Sequence, residues 1–161
     1  MRADGRVDLG DHRPDESFGW AKAAAKAELG EELAVVATLQ TKLYAEGASA
    51  LLEGTAIVKL FLNVSADEQR RRLQDRADDP ARRWKFRFGD LEERARWDDY
   101  QLAFRDAMRE TSTVDAPWFV VPADRKWVRN LAVARILRVA LERLDPAYPE
   151  ADPAIASVTV T

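Results

Sequence analysis

An α/β fold, rich in helix and with few parallel strands, is predicted by three observations. Two short apolar runs, AIVKLFLNV at 56–64 and PWFVVP at 117–122, carry the branched and aromatic residues of strands. Each run leads into a helix-forming segment, the order in which crossover helices join parallel strands. Long stretches of alanine, leucine, arginine, lysine and glutamate supply the remaining helices.

Taken in order, residues 1–17 are charged, carry Gly5, Gly10 and Pro14, and read as a flexible tail in which His12 is solvated. Residues 20–46 read as a long helix with Leu29, Leu33, Val36, Leu43 and Tyr44 on one face and Gly47 as its stop. Residues 49–52 allow the start of a strand that Glu53-Gly54 cuts short. The nearly continuous apolar run 56–64 suits a strand buried on both faces. Ser65-Ala-Asp-Glu68 is a capping box that opens a helix ending at Asp78-Asp79-Pro80. Asp90-x-x-Glu93 opens another helix, to about Met108, whose stripe Trp97, Tyr100, Phe104 and Met108 reads as core. Asp124 is placed to cap a helix over 126–144 with Leu131, Ala134, Leu137, Leu141 and Leu144 inward. The expected organisation is a tail (1–17), a domain (18–149) and a second tail (150–161).

Composition removes several classes of chemistry. The chain has 161 residues, one domain's worth, with 47% hydrophobic and 33% charged residues. With no cysteine and one histidine there is no thiolate zinc site, disulfide framework, cysteine nucleophile or multi-histidine metal centre. A formal charge of −3 argues against a general coat for DNA or RNA. No apolar run approaches the ~20 residues of a membrane span, and the first residues lack a signal peptide's apolar core. The expected compartment is cytoplasmic.

Two clusters carry candidate chemistry. The segment ARRWKFRF at 81–88 holds Arg82, Arg83, Lys85 and Arg87 among three aromatics and no acid, preceded by Arg70, Arg71, Arg72 and Arg76. Guanidinium forks and ammonium groups grip phosphate oxygens. A mobile basic segment can close over a transferring phosphate. The plain alternative is a solvated loop with Trp84, Phe86 and Phe88 packed on the domain. The second cluster, Asp124, Arg125 and Lys126, follows the second strand, where ligands of open α/β sheets sit; Asp124 acting only as a helix cap is the other reading. The pairs Asp78-Asp79 and Asp98-Asp99 are sequence neighbours, which do not share a helix face, and are not expected to work as acid and base.

The run GTAIVKLFLNVSADEQRRRLQDRADDPARRWKFRFGDLEERARWDDY, continued by TSTVDAPWFVVPADRKWVRNLAVARIL and LDPAYP, resembles the C-terminal half of polyphosphate kinase 2 family proteins. The ordered motifs DDPxxRWKF, WDDY, STxxAPW and PADRKW carry the likeness. WAKAAAKAELGEELAVVATLQTKLYAEG resembles the family's N-terminal helix, so about residues 20–149 are covered. The resemblance implies a remnant of a P-loop kinase-like α/β/α sandwich. It implies Mg²⁺-dependent phosphoryl transfer between polyphosphate and nucleoside mono- or diphosphates of the ADP and AMP type. It sets Arg82, Arg83, Lys85 and Arg87 in or beside a lid over polyphosphate, and Asp124, Arg125 and Lys126 near the phosphate or nucleotide. The chain departs from the family pattern in having no Gly-x-x-x-x-Gly-Lys loop. The expectation is therefore an internally truncated member with impaired transfer and no metal-anchoring residue. The alternatives are a non-catalytic polyanion-binding module and an interaction subunit that pairs with itself or with a full-length member through an open strand edge.

Overall fold

The computed structural model describes residues 2–3, 9–46 and 56–159. Among these lie strands β1 (Arg2–Ala3), β2 (Lys59–Asn63) and β3 (Trp118–Pro122), and helices α1 (Lys22–Glu46), α2 (Ala66–Asp78), α3 (Gly89–Ala95), α4 (Trp97–Thr111) and α5 (Lys126–Leu144). The sheet order is β1-β3-β2. β2 and β3 run parallel, with Lys59 opposite Trp118 and Asn63 opposite Pro122. The crossover between them carries α2, α3 and α4, as a parallel connection requires. The expected helix-rich α/β architecture is the one that forms.

Helices cover both faces of the small sheet. α1 and α5 pack along each other on one side, where Leu29, Leu33, Val133 and Leu137 approach Leu60 and Leu62. On the other side the Phe104 ring of α4 lies 5.1 Å from that of Phe61. The alternation of Leu60, Phe61 and Leu62 between the two sides is the period of a strand. Met108 and Val120 form a buried nucleus on which Leu9, Phe61 and Trp118 pack.

The sequence reading holds for most helix limits and departs from the fold in several places. The α1 face was expected to be apolar, but Glu32 is buried on it while Leu33 and Tyr44 are exposed. α5 is the reason, because Arg138 lies 3.5 Å from Glu32 and Arg135 pairs with Glu28. Expected burial of the first strand on both faces fails at Leu62, which is exposed, whereas β3 buries Val120 and Val121; β3 has neighbours on both sides and β2, among the described residues, on one. The single helix expected from 90 to 108 is two, divided at Arg96 (φ −98°, ψ 26°). The described part of the 1–17 segment is anchored. β1 pairs antiparallel with β3, and the carbonyls of His12 and Pro14 accept hydrogen bonds from Asn63 Nδ2 (2.7 Å) and the Asp124 amide (3.2 Å). The possible strand start at 49–52 lies outside the described residues. At the other end, residues 153–157 form an exposed 3₁₀ turn whose cap is Asp152.

Candidate functional site

The carboxyl ends of β2 and β3 are knitted together by polar side chains. Ser65 caps α2 by accepting the Glu68 amide at 3.1 Å. The Ser65 amide in turn donates to Asp124 Oδ1 at 2.8 Å, which fixes the β2–α2 turn against the end of β3. Arg72 sends Nη2 to the carbonyls of Ala123 (2.7 Å) and Asp124 (3.0 Å), and its Nε to Glu68 at 2.7 Å. Glu68 also accepts from Arg71. These two guanidinium groups, Arg71 first, hold the Glu68 carboxyl down at about 2. Asp124 therefore does not cap α5. The residue at that cap position is Arg125, whose side chain makes no capping bond. Arg125 and Lys126 are exposed.

Beside this knot a crevice of about 460 Å³ opens at the end of β2, lined among others by Pro14, Asn63, Ser65, Asp98, Gln101 and Arg105. It lies where open α/β sheets take ligands. Sequence reasoning passed over Asn63 and Arg105. A signal was present for Asn63, the one polar residue closing an apolar run. None marked Arg105, which is one arginine among many.

The basic segment occupies the opposite end of α2. Asp79 ends that helix and begins the turn, its carboxylate accepting from the Ala81 amide (2.9 Å) and from Arg82 Nε. Its carbonyl accepts from the amides of Arg82 and Arg83. The Arg82 guanidinium, with the Ala81 amide second, holds the Asp79 carboxyl below its usual range. Arg83 Nε donates to the Ala77 carbonyl at 2.8 Å, satisfying an orphan acceptor of the last helical turn. Lys85 lies 5.1 Å from the centroid of the Trp84 ring, and Phe86 and Phe88 meet edge to face. Trp84 and Phe88 are 77% and 82% exposed, so the reading in which these aromatics pack on the domain fails for both. The Arg87 guanidinium has no carboxylate partner among the described residues.

The structure thus brings Arg82, Arg83, Lys85 and Arg87 together in one exposed turn, and Asp124, Arg125 and Lys126 in another. It does not bring the two clusters together. α2 separates them, and its 13 residues span about 20 Å.

A family model described as polyphosphate kinase 2 matches residues 25–149. The chain belongs to the polyphosphate kinase 2 family. It is 53% identical over 108 residues to an AMP/ADP-polyphosphate phosphotransferase of Meiothermus ruber, covering 67% of this chain and 40% of that relative. It is 48% identical over 101 residues to an ADP-polyphosphate phosphotransferase of Rhodopseudomonas palustris, covering 63% of this chain and 35% of the relative. The chain therefore spans well under half the length of these curated relatives. Its fold is similar to a crystal structure of polyphosphate kinase 2 from Arthrobacter aurescens TC1, with TM-score 0.89 and 28% identity over 98% of this chain and 93% of that one. The family catalyses phosphoryl transfer involving polyphosphate and uses Mg²⁺. Among the described residues no three acidic, histidine or cysteine side chains converge as a cation cage, and Asp124 already holds the Ser65 amide. No described helix is long and apolar enough to cross a membrane.

Proposed function

We propose that this chain is an internally truncated polyphosphate kinase 2 that retains the family's lid and strand-end elements, binds polyphosphate, and transfers phosphoryl groups poorly. One observation carries the reading: the exposed basic turn of Arg82, Arg83, Lys85 and Arg87 occurs in a sequence without Gly-x-x-x-x-Gly-Lys. The family reaction moves the terminal phosphoryl group of polyphosphate onto an oxygen of a nucleoside mono- or diphosphate. The new P–O bond forms as the bond to the penultimate phosphate breaks, and the shortened chain leaves. That transition state spreads charge over the transferred group, and a Gly-rich loop with its lysine cradles it. Losing one such donor slows a reaction by about 10²–10³, and here the whole loop is missing.

In this reading the four lid residues neutralise polyphosphate. Arg125 and Lys126, toward the other end of α2, face a second phosphate or nucleotide group of an extended polyanion. Asp124 positions the strand-end turn. The ADP and AMP substrates of the relatives are the nucleotides this reading assigns to the chain.

The test measures ATP formation from polyphosphate, ADP and Mg²⁺ alongside direct polyphosphate binding. The expected result is binding that a quadruple alanine variant of the lid abolishes, with turnover at the no-enzyme blank. Turnover above blank that the same variant removes overturns the impairment; undiminished binding by the variant overturns the lid assignment. A second reading, association with another copy or with a full-length member, is favoured by β2 having a strand neighbour on one side only among the described residues.

A further inference from the structure

We infer that residues 11–16 form an acidic strap, docked across the strand ends, that competes with polyphosphate for Arg125 and Lys126. The inference rests on the reading in which a polyanion reaches that cluster. The strap sequence, DHRPDE, carries three acids against one arginine. It crosses the carboxyl ends of both parallel strands. The His12 carbonyl accepts from Asn63 Nδ2 at the end of β2 (2.7 Å), and the Pro14 carbonyl accepts from the Asp124 amide just past the end of β3 (3.2 Å). Asp124 is followed directly by Arg125 and Lys126, both exposed, and Pro14 by Asp15 and Glu16. The second bond therefore brings the acidic end of the strap to the basic turn. The Asp15 carboxyl records that approach: the Arg13 guanidinium first, and Arg125 in addition, hold it below its usual range. Open α/β sheets take ligands at this place. Here a carboxylate of the chain itself already lies in the field of a cation that a phosphate would seek.

The strap is docked lightly. Among residues 11–20 none is fully buried, so little apolar surface opposes its release. Single hydrogen bonds from Asn63 and Asp124 tie it to the strand ends. Docking also carries costs. His12 Nδ1 is shut off from solvent without a hydrogen-bond partner among the described residues, a penalty that undocking removes. Phe18, where the strap turns toward α1, has φ 54°, a left-handed backbone that side chains other than glycine rarely adopt, and Gly19 follows at 73°. Glu16 holds that turn by accepting the amides of Ser17 and Phe18, each at 2.7 Å. Few ties and standing costs make an element that a competing anion can displace. A ligand that binds only the undocked state has its apparent affinity lowered by the docked fraction, so loosening the strap raises affinity.

Two variants loosen it by different means. Asp11→Asn/Asp15→Asn/Glu16→Gln removes the charge and keeps the oxygen that accepts the Ser17 and Phe18 amides. Asn63→Ala removes one anchor and leaves the net charge unaltered. Both are expected to bind polyphosphate roughly threefold or more tighter than wild type at low salt. A control that neutralises three exposed acids elsewhere, Glu31→Gln/Asp115→Asn/Glu150→Gln, is expected to gain less than about twofold. Strap movement is read separately. The chain has no cysteine, so a dye on Asp11→Cys reports that position alone, and its anisotropy is expected to fall as polyphosphate saturates the chain. A control that gains as much as the strap variant assigns the gain to net charge; it overturns the strap and leaves polyphosphate binding intact. A folded Asn63→Ala protein that binds as wild type does, or an anisotropy constant through saturation, overturns the strap in the same way. Where Asn63→Ala fails to fold, the charge variant and the dye still decide. No polyphosphate binding by wild type or by either variant overturns the strap together with the reading it rests on.

Discussion

Glu68 accepts from Arg71 and Arg72, and Arg72 continues to the carbonyls of Ala123 and Asp124. One carboxylate thus orients the guanidinium that joins α2 to the end of β3. Its carboxyl titrates near 2 in the folded chain against 4.5 ordinarily. A group depressed in this way stabilises the fold fully above the unfolded value, and that contribution drains away as pH falls from about 4.5 through about 2. Urea unfolding of wild type and Glu68→Gln should therefore differ most near neutral pH and converge as pH falls through this window. A gap that stays constant from neutral pH to pH 3 would place the stabilising partner elsewhere.

Asp79 acts at the scale of an element, since it ends α2 and shapes the basic turn beyond it. Its carboxylate also offsets the charge of Arg82. Asp79→Asn keeps an oxygen for the Ala81 amide and removes that negative charge. Removing that offset should raise polyphosphate affinity by about 2- to 5-fold at low salt, read by direct polyphosphate binding. A fall in affinity would mean that the pair holds Arg82 in its binding geometry. Elements of this kind were legible in the sequence where local chemistry decides them. The Ser65 capping box gave the start of α2, and the helix read over 126–144 is α5 as observed. What sequence could not show depends on what lies opposite. The stripe of α4 was periodic, yet only Met108 is fully buried, because the small sheet covers that end alone. The anchoring of β1, His12 and Pro14 uses main-chain groups, and the apolar pattern carries no record of those. The break at Arg96 has no glycine or proline to announce it. For the candidate site, the basic turn was legible as a run of like charge. The tie between Asp124 and Ser65 was not, since 59 residues of crossover separate the partners.

At the scale of the whole molecule, a net charge of −3 repels a polyanion, so binding must come from local attraction strong enough to exceed that field. Binding through such local charge contacts weakens as salt rises. By analogy with single-stranded nucleic acids, neutralising four phosphates gives a logarithmic slope near −2.8, or about a 50-fold loss of affinity between 50 and 200 mM salt. The quadruple lid variant should lose the slope together with the affinity. Lys126→Ala should shorten the slope by about one phosphate's share if the same polyanion reaches from the lid to the strand end. Polyphosphates too short to span that distance should then show the reduced slope with the wild-type chain as well. A slope indifferent to Lys126 and to polyphosphate length would confine the ligand to the lid and remove the strand-end cluster from the binding surface.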